Sequence, residues 1–312
     1  MGSPGRGPSR VRTIRDLGEV GLVARLARRI EQPPATRLGI GDDAAVVSGP
    51  RGGWWLFASD MLVEGIHFRR RLVPARWIGW KALACNISDI AAMGGLPRWA
   101  VISLGLPPHT QVHFVDELYR GLSRCARRFR VALVGGDTVR APCVIVDVAI
   151  LGGVDPAHLV LRSGARVGDV LFVTGRLGGS YRSGRHARFV PRLAEAQTLV
   201  RRLPVHAMID LSDGLACDLW QLSRASRMRL RVEQHRIPVS RAGKTVSHAL
   251  MDGEDFELLF AVSARHAAKV PRRIGTCPVT PIGEVIASGV GVDLVQSNGR
   301  TVPLIPQGFR HF

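Results

Sequence analysis

The sequence predicts a mixed α/β (α+β) fold divided into two domains, and two observations support this prediction. Segments with apolar residues at helical spacing alternate with short β-branched runs along all 312 residues. A chain of this length forms two domains more often than one. Because Gly152-Gly153 separates two such series of elements, we place an N-terminal domain at 13–152 and a C-terminal α/β domain at 153–312.

Helices are expected where the helical spacing is sustained and then stopped by glycine, proline or polar residues. They fall at 18–30, 77–93, 110–129, 191–202, 215–226 and 264–272. Strands are expected at 44–47, 54–59, 99–106, 131–134, 143–151, 170–174, 207–209, 230–233 and 257–262, with short ones near 282 and 292. Turns or loops are expected at 135–138, 175–184 and 252–255, which are rich in glycine or acidic residues.

Composition limits the cellular setting. Residues 1–12 are rich in Gly, Pro, Ser and Arg with no apolar segment behind them, so we expect a disordered basic tail rather than a signal peptide. No apolar run approaches the roughly 20 residues of a membrane span. The five cysteines are scattered without a C-x-x-C pair, which indicates small buried thiols in a reducing compartment rather than a zinc site. We therefore expect a cytoplasmic protein with no membrane partner.

The formal net charge of +18 raises the question of nucleic-acid binding. The excess is nearly all arginine, spread in short pairs such as Arg28-Arg29 and Arg272-Arg273, and no block of five or six basic residues occurs. No zinc-finger or RNP-type motif accompanies it. A basic solvated surface is therefore the favoured interpretation, and an arginine-rich nucleic-acid-binding protein remains as an alternative.

A glycine turn with two adjacent carboxylates, at 39–47, is the most informative stretch. Neighbouring aspartates repel each other unless a cation or strong donors share them. A small residue followed by Asp recurs elsewhere, mostly at the end of an apolar run: Ser59-Asp60, Ser88-Asp89, Gly136-Asp137 and Ser212-Asp213. Because Mg²⁺ takes oxygen ligands from a few carboxylates plus substrate phosphates, we expect these residues to converge on Mg²⁺ and a nucleotide triphosphate.

Two stretches of the sequence partly match other phosphate-binding patterns. The stretch 39–44 matches the G-x-G-x-x-G/A dinucleotide pattern, but two aspartates would face the pyrophosphate and a β-branched run follows where a helix is required. The stretch 179–186 has the glycine spacing of a P-loop without its Lys and Ser/Thr. Neither a dinucleotide-binding protein nor a P-loop kinase is favoured.

The remaining polar clusters have simpler explanations beside the functional one. Asp210 and Asp213 stand at a strand-to-helix turn; capping of the helix that begins at Leu215 accounts for one of them, so a ligand role is favoured for the pair. The acidic residues at 254–257 suit a surface turn as well as a site. His67 is a lone histidine without metal-ligand spacing and is as such more typical of a structural residue.

Taken in order, these motifs resemble the thiamine-monophosphate kinase family of the aminoimidazole ribonucleotide synthetase-like superfamily. The matching stretches are GIGDDAAVV (39–47), SDMLVEGIHF (59–68), KALACNISDIAAMGGLPRW (81–99), LVGGDTVR (133–140), LRSGARVGDVLFVTGRLGGS (161–180), IDLSDGLACDL (209–219) and GEDFELLF (253–260). The resemblance implies ATP-dependent phosphorylation of thiamine phosphate to thiamine diphosphate with several Mg²⁺ ions. It also implies a homodimer paired through the N-terminal sheets.

The resemblance further implies roles for single residues. Mg²⁺ ligands would be Asp43, Ser59, Asp60, Asp89, Asp137, Asp210 and Asp213. Contacts to ATP would come from Tyr119, Gly136, Asp137, Arg162 and Ser212, and contacts to thiamine phosphate from His67 and Glu254. No side chain is expected to act as a general base, since the acceptor oxygen is already ionised. Of these residues, the chemistry of the sequence alone pointed to the aspartates and not to Tyr119, Arg162 or His67.

Three departures from the family pattern concern the acceptor more than the metal. Ala58 stands where relatives often have a hydroxyl residue. The segment after Ser180 is short and arginine-rich, and the C-terminal stretch 306–309 lacks the tryptophan expected near the thiamine ring. Another ATP-using member of the superfamily with a different acceptor therefore remains the second interpretation.

Overall fold

The structure is a computed structural model that describes residues 13–309. The predicted basic tail at 1–12 lies outside the described residues. Among the described helices, none is long and apolar enough to cross a membrane. None of the five cysteines forms a disulfide; Cys85, Cys125 and Cys277 are buried as predicted, whereas Cys143 and Cys217 are half-buried.

The described elements alternate as the sequence predicted. The helices are α1 (Ile14–Ala27), α2 (Ala75–Ala92), α3 (Val112–Phe129), α4 (Leu193–Arg202), α5 (Leu215–Ser226), α6 (Val246–Met251) and α7 (Ala264–Ala267). The strands are β1 (Thr36–Leu38), β2 (Ala45–Ser48), β3 (Trp54–Val63), β4 (Leu96–Leu106), β5 (Ala132–Arg140), β6 (Ile145–Val154), β7 (Asp169–Thr174), β8 (Val205–Asp210), β9 (Met228–Glu233), β10 (Leu258–Ser263), β11 (Arg273–Ile274), β12 (Cys277–Ser288), β13 (Gly291–Val295) and β14 (Thr301–Pro303).

The N-terminal sheet has the strand order β1-β2-β3-β6-β4-β5. Its pairs are antiparallel except β4 with β5. Side chains alternate between the two faces of a strand. In β6 the buried face carries Val146, Val148 and Ile150, which join the core formed with α2 and α3. The opposite face of the sheet is left without a covering layer among the described residues.

Helix α2 is buried nearly all round, whereas the sequence suggested one apolar face. One side of α2 packs on the sheet. On another side, the backbones of α2 and α3 come very close to each other. A Cβ at Gly79 would lie 2.0 Å from the carbonyl oxygen of Leu118, and one at Gly121 would lie 1.8 Å from that of Arg76. The end of α2 contributes Ala91 and Ala92 to a core shared with the C-terminal half. This burial explains why small residues dominate the helix.

The C-terminal sheet has the order β14-β13-β9-β12-β7-β10-β8 and is antiparallel except for β13 with β9. One face packs against α5 through Leu215, Leu219 and Leu222. The other face packs against α4 and the end of α2, with Phe172 and Phe260 stacked at 5.4 Å between ring centroids. The sheet therefore carries helices on both faces, and α2 lies where the two halves of the chain meet.

Three features of the structure differ from what the sequence predicts. The glycine turn at 135–138 is part of strand β5, and the helix expected at 264–272 ends at Ala267. Strand β6 continues through Gly152-Gly153. A Cβ at Gly152 would lie 2.7 Å from the side chain of Ile90, so this glycine permits close packing of α2 on the sheet rather than ending the strand. The domain boundary at this point stays a prediction.

Candidate active site

Three aspartates from different elements meet beside α2. Asp43 lies in the glycine turn before β2, Asp89 on α2, and Asp210 at the end of β8. One carboxylate oxygen of each lies within 4.8 Å of the others. The turn places Asp43 beside the helix because Ala44 is buried and its N–H points to the sulfur of Met93 at 3.0 Å. The cluster therefore draws on both halves of the chain.

The carboxylates of this cluster raise one another's pKa. Burial is the largest cause for Asp210, whose pKa rises to about 8 with Asp43 adding repulsion, although Ser88 Oγ donates to Asp210 Oδ2 at 2.6 Å. Burial also raises the pKa of Asp89 well above its ordinary value, with Asp60 and Asp210 contributing. The pKa of Asp60 rises to about 6 through burial and then the charge of Asp213. These acids release their protons most readily when cations balance the charge.

Several carboxylate oxygens at the cluster lack a hydrogen-bond donor. Asp43 Oδ2 and both oxygens of Asp218, on α5, are buried with no hydrogen-bond partner among residues 13–309. The charges of Asp213 and Asp210 raise the pKa of Asp218, after burial as the first cause. Unpartnered buried oxygens cost free energy, and hard divalent cations take oxygen ligands. The donor set therefore fits Mg²⁺, and no histidine or thiolate competes for it in the three-aspartate group.

Arg162 brings a positive charge to the aspartates. Its Nη2 donates to Asp43 Oδ1 at 2.6 Å and its Nη1 to Gln221 Oε1 at 3.0 Å. The backbone N–H of Arg162 donates to Asp42 Oδ2 at 3.0 Å. Burial and repulsion by Asp43 raise the pKa of Asp42 to about 7. Arg162 thus holds the diaspartate turn against the segment that precedes β7.

Ser59 and Asp137 lie on the outer face of the N-terminal sheet, away from the buried cluster. Ser59 Oγ donates to Asp147 Oδ1 at 3.0 Å. Ser103 of β4 is in register with Asp147 on one side and with Asp137 on the other. Strands lie about 4.8 Å apart, so Asp137 is about 10 Å from Asp147. Ser59 and Asp60 are successive residues of β3, so their side chains point to opposite faces of the sheet, with Asp60 on the same face as the buried Val148.

Gly136 lies on β5 and Tyr119 on α3, two elements that contribute no member to the three-aspartate group. Gly136 has φ +152°, and a Cβ there would lie 1.7 Å from the carbonyl oxygen of Ile102, so pairing of β5 with β4 already requires glycine. Tyr119 is exposed on α3. It lines a cavity of about 400 Å³ with Asp116, Arg120, Ser123 and Arg127 of the same helix.

His67 and Glu254, the predicted acceptor contacts, are joined through Lys81. The Lys81 ammonium forms an ion pair with Glu254 Oε1 and donates to the carbonyl oxygen of His67 at 3.0 Å. His186 Nδ1 lies 3.2 Å from Glu254 Oε2. Burial acts to raise the pKa of Glu254, but the hydrogen bond from His186 and the charge of Lys81 bring it below its ordinary value. Glu254 therefore stays ionised.

The C-terminal segment closes this side of the site. The N–H of Phe309 donates to the carbonyl oxygen of Asp213 at 3.2 Å. The neighbouring carbonyl oxygen, that of Ser212, accepts from the N–H of Glu254 at 2.6 Å. The ring of Phe309 lies 6.2 Å from the ring of His67, centroid to centroid. An aromatic ring therefore stands beside His67, at a position where the sequence offers no tryptophan.

The other acidic residues of the 254–257 turn are bound by arginines. Glu257 pairs with Arg185 and with Arg192, whose Nε donates to Glu257 Oε2 at 2.6 Å. Asp255 pairs with Arg185 at 3.2 Å and accepts from the N–H of Gly178 at 2.7 Å. These contacts fix the glycine-rich loop 175–184 against the turn. Glu257 and Asp255 thus pair with arginines of the C-terminal half, whereas Glu254 pairs with Lys81 of α2 and with His186.

Sequence reasoning overlooked four residues of the site. Asp147 is a carboxylate in the middle of an apolar strand, and Lys81 is one of only three lysines in the chain and lies in an apolar helix. Those two anomalies were visible in the sequence. Asp218 falls within the IDLSDGLACDL stretch without a local signal of its own, and His186 becomes relevant only through its contact with Glu254.

The chain is similar to known proteins over nearly its whole length. Residues 41–154 match the family described as "AIR synthase related protein, N-terminal domain", and residues 166–295 match its C-terminal domain. The thiamine-monophosphate kinase of Rhodopirellula baltica is 38% identical, with 94% of this chain and 97% of the relative covered. That of Synechococcus elongatus is 34% identical, with 96% and 98% covered.

A solved structure described as "AaThiL complexed with AMPPCP and TMP" superposes with a TM-score of 0.84 at 30% identity, covering 97% of this chain and all of the other. The two family matches cover the N-terminal and the C-terminal sheet in turn, and the similarity in sequence and structure extends over more than nine tenths of the chain. The chain belongs to the thiamine-monophosphate kinase family, a branch of the AIR synthase related proteins.

Proposed function

We propose that this chain is a kinase that transfers a phosphoryl group from ATP to thiamine phosphate and so forms thiamine diphosphate. The observation that carries the proposal is the meeting of Asp43, Asp89 and Asp210, one oxygen of each within 4.8 Å, in a chain homologous to such kinases over its full length. Phosphoryl transfer depends on positioning and charge neutralisation more than on covalent chemistry, which suits a site built from carboxylates.

The aspartate cluster is proposed to hold Mg²⁺. Asp43, Asp89 and Asp210 would form one set of ligands, with Asp60 and Asp213 adjoining them. Ser59 and Asp137 would contribute from the outer face of the sheet. When bound, Mg²⁺ neutralises phosphate charge and lets two anions approach each other. The orphaned oxygen of Asp43 and the raised pKa values of Asp60 and Asp210 support this assignment.

The protein groups around the cluster are proposed to orient the two substrates. Arg162, already held beside Asp43, would contact the phosphates of ATP, and Ser212, Gly136 and Tyr119 would contact the nucleotide. His67 and Glu254 would hold thiamine phosphate, with the ring of Phe309 beside His67. No residue needs to remove a proton, because a phosphate monoester is largely ionised near pH 7.

A homodimer paired through the N-terminal sheets is part of the proposal. The face of the sheet turned away from α2 exposes large apolar side chains: Phe57 is 55% exposed, Met61 53%, Trp99 39% and Val101 38%. An apolar sheet face of this kind typically marks a protein interface. The occupant we propose is the same face of a second copy, which would also bring Gly136 and Asp137 of each chain near the interface. We retain the domains 13–152 and 153–312 and a cytoplasmic location as proposals.

The deciding experiment measures ADP release by the purified full chain with ATP and Mg²⁺, using thiamine phosphate and then thiamine as acceptor. Turnover with thiamine phosphate alone, yielding thiamine diphosphate, is the expected result. If the chain binds ATP but phosphorylates neither thiamine phosphate nor thiamine, the acceptor is a different molecule, as in other members of the superfamily. Absence of ATP binding together with tight, steeply salt-dependent nucleic-acid binding would overturn it.

A further inference from the structure

Lys81 is the buried cation nearest to the predicted acceptor contacts. Its side chain is 1% exposed. A buried ammonium is stable only when its charge and its N–H groups are matched. Here the Glu254 carboxylate matches the charge, and the carbonyl oxygen of His67 accepts a hydrogen bond at 3.0 Å. Lys81 thus contacts both His67 and Glu254, the residues that the proposed function assigns to binding thiamine phosphate.

The three residues come from distant parts of the chain. Lys81 is 14 residues from His67 and 173 residues from Glu254 along the sequence. His67 belongs to the loop between β3 and α2, Lys81 to α2 itself, and Glu254 to the acidic turn before β10. No local backbone preference brings them together. The Lys81 ammonium is therefore a direct link between the N-terminal loop and the C-terminal turn.

The turn that carries Glu254 needs such a link. Glu254 has φ +63° and Phe256 has φ +48°, a left-handed conformation that is unfavourable for a residue other than glycine. Backbone strain of this kind persists only where contacts outweigh it. Glu254 is held by the ammonium of Lys81, by His186 Nδ1 at 3.2 Å, and by its own N–H to Ser212.

The charge of Lys81 also acts on Asp60, one of the carboxylates proposed for Mg²⁺. Among the charges that act on the pKa of Asp60, that of Lys81 lowers it, while those of Asp213, Asp147 and Asp43 raise it. The ammonium therefore contacts the pair proposed for the acceptor and is also near enough to Asp60 for its charge to act on that carboxylate.

We propose that Lys81 is a positioning residue for the acceptor: through Glu254 and His67 it sets the affinity for thiamine phosphate, without itself contacting ATP. This inference rests on the proposed function. It assigns to Lys81 a role in acceptor binding that is separate from its contribution to the stability of the fold.

The test compares steady-state kinetics of the full chain with those of Lys81→Met. We expect the KM for thiamine phosphate to rise about tenfold or more, the KM for ATP to change less than twofold, and kcat to fall by a smaller factor. Lys81→Arg, which keeps the charge but moves the donors, is expected to recover part of the affinity. Lys269→Met makes the same chemical change at an exposed lysine and should leave all three constants unchanged.

A double variant tests whether Lys81 acts through Glu254. When Glu254→Gln is combined with Lys81→Met, the increase in the acceptor KM should be far less than the product of the two single increases. If Lys81→Met does not fold, a selective rise in the acceptor KM of Lys81→Arg, about threefold, supports the proposal, and unchanged constants refute it.

The outcomes separate this inference from the function it rests on. A wild-type chain that does not phosphorylate thiamine phosphate overturns both. Wild-type turnover with equal changes in the KM for ATP and for the acceptor, or with a lowered melting temperature and unchanged constants, overturns the role of Lys81 alone.

Discussion

Arg162 and Asp43 form an ion pair with a distance of 2.6 Å between Nη2 and Oδ1, although 119 residues separate them in the chain. The pair connects the glycine turn of the N-terminal half with the segment leading into β7 of the C-terminal half. Gln221 of α5 accepts from the same guanidinium. The three-aspartate group is therefore shared between the halves, and its geometry depends on how they pack along α2.

Replacing single aspartates should abolish turnover and leave the fold intact. Asp43→Asn and Asp213→Asn each remove a charge that cations at the cluster would neutralise, so we expect turnover with thiamine phosphate to fall at least about a hundredfold. Both variants should remain folded, because Asp43→Asn weakens the ion pair with Arg162 but also relieves repulsion among the neighbouring carboxylates. Glu31→Gln, at an exposed acid, serves as the control. Near-normal turnover of both variants at limiting Mg²⁺ would contradict the metal assignment.

Removal of divalent cations should make stability depend on pH in a defined direction. Asp60 and Asp210 have ordinary values of 3.8 and folded pKa values of about 6 and about 8, so the folded chain binds more protons than the unfolded chain between these limits. Their contribution to stability is therefore greatest at low pH and is lost as pH rises through 6 and then 8. Thermal unfolding in EDTA should show a falling melting temperature from pH 5 to 8.5.

Added Mg²⁺ should reverse that loss, with a larger rise in melting temperature at pH 8.5 than at pH 5, because ions bind the deprotonated carboxylates. Asp210→Asn should reduce the pH dependence in EDTA, since one of the carboxylates with a raised pKa is gone. If the wild-type melting temperature instead rises with pH in EDTA, and does so with the same slope in Asp210→Asn, the carboxylates of the cluster do not repel one another as proposed.

Adjacent glycines in β5 should respond very differently to alanine. Gly136→Ala places a Cβ 1.7 Å from the carbonyl oxygen of Ile102 at φ +152°, so we expect the free energy of unfolding to fall by about 3 kcal/mol. Gly135→Ala meets only Val101 at 3.9 Å and should change it by less than about 0.5 kcal/mol. Urea unfolding of both variants measures the difference. Equal stability would show that strand pairing does not require glycine at 136.

The oligomeric state should depend on the outer face of the N-terminal sheet. Val101→Arg puts a charge among Phe57, Met61 and Trp99, where a second copy would desolvate it, so we expect a monomer in light scattering at concentrations at which the wild type is a dimer. Val290→Arg makes the same change at an exposed valine of the C-terminal half and should leave the dimer intact. A wild type that is monomeric, or a Val101→Arg variant that still dimerises, would reject this interface.

Local patterns in the sequence were sufficient for much of the fold. The helix predicted at 215–226 has those bounds in the structure because its apolar residues recur at helical spacing and Gly214 precedes it. The glycine stretch at 135–138 was misread as a turn, since Gly135 and Gly136 resemble turn residues. In the structure that stretch is an edge strand, and close contact of its backbone with Ile102 is the reason for Gly136.

The sequence by itself determined the mixed α/β class, the family, and the aspartates that stand at the ends of apolar runs, because each depends on residue types at short spacing. Only the tertiary structure decided which carboxylates meet, that Arg162 pairs with Asp43, and that Lys81 ties His67 to Glu254. These contacts join residues 14 to 173 positions apart, and side-chain periodicity carries no information at that range. They arise from the packing of both halves against α2, which brings the charges close enough to change one another's pKa.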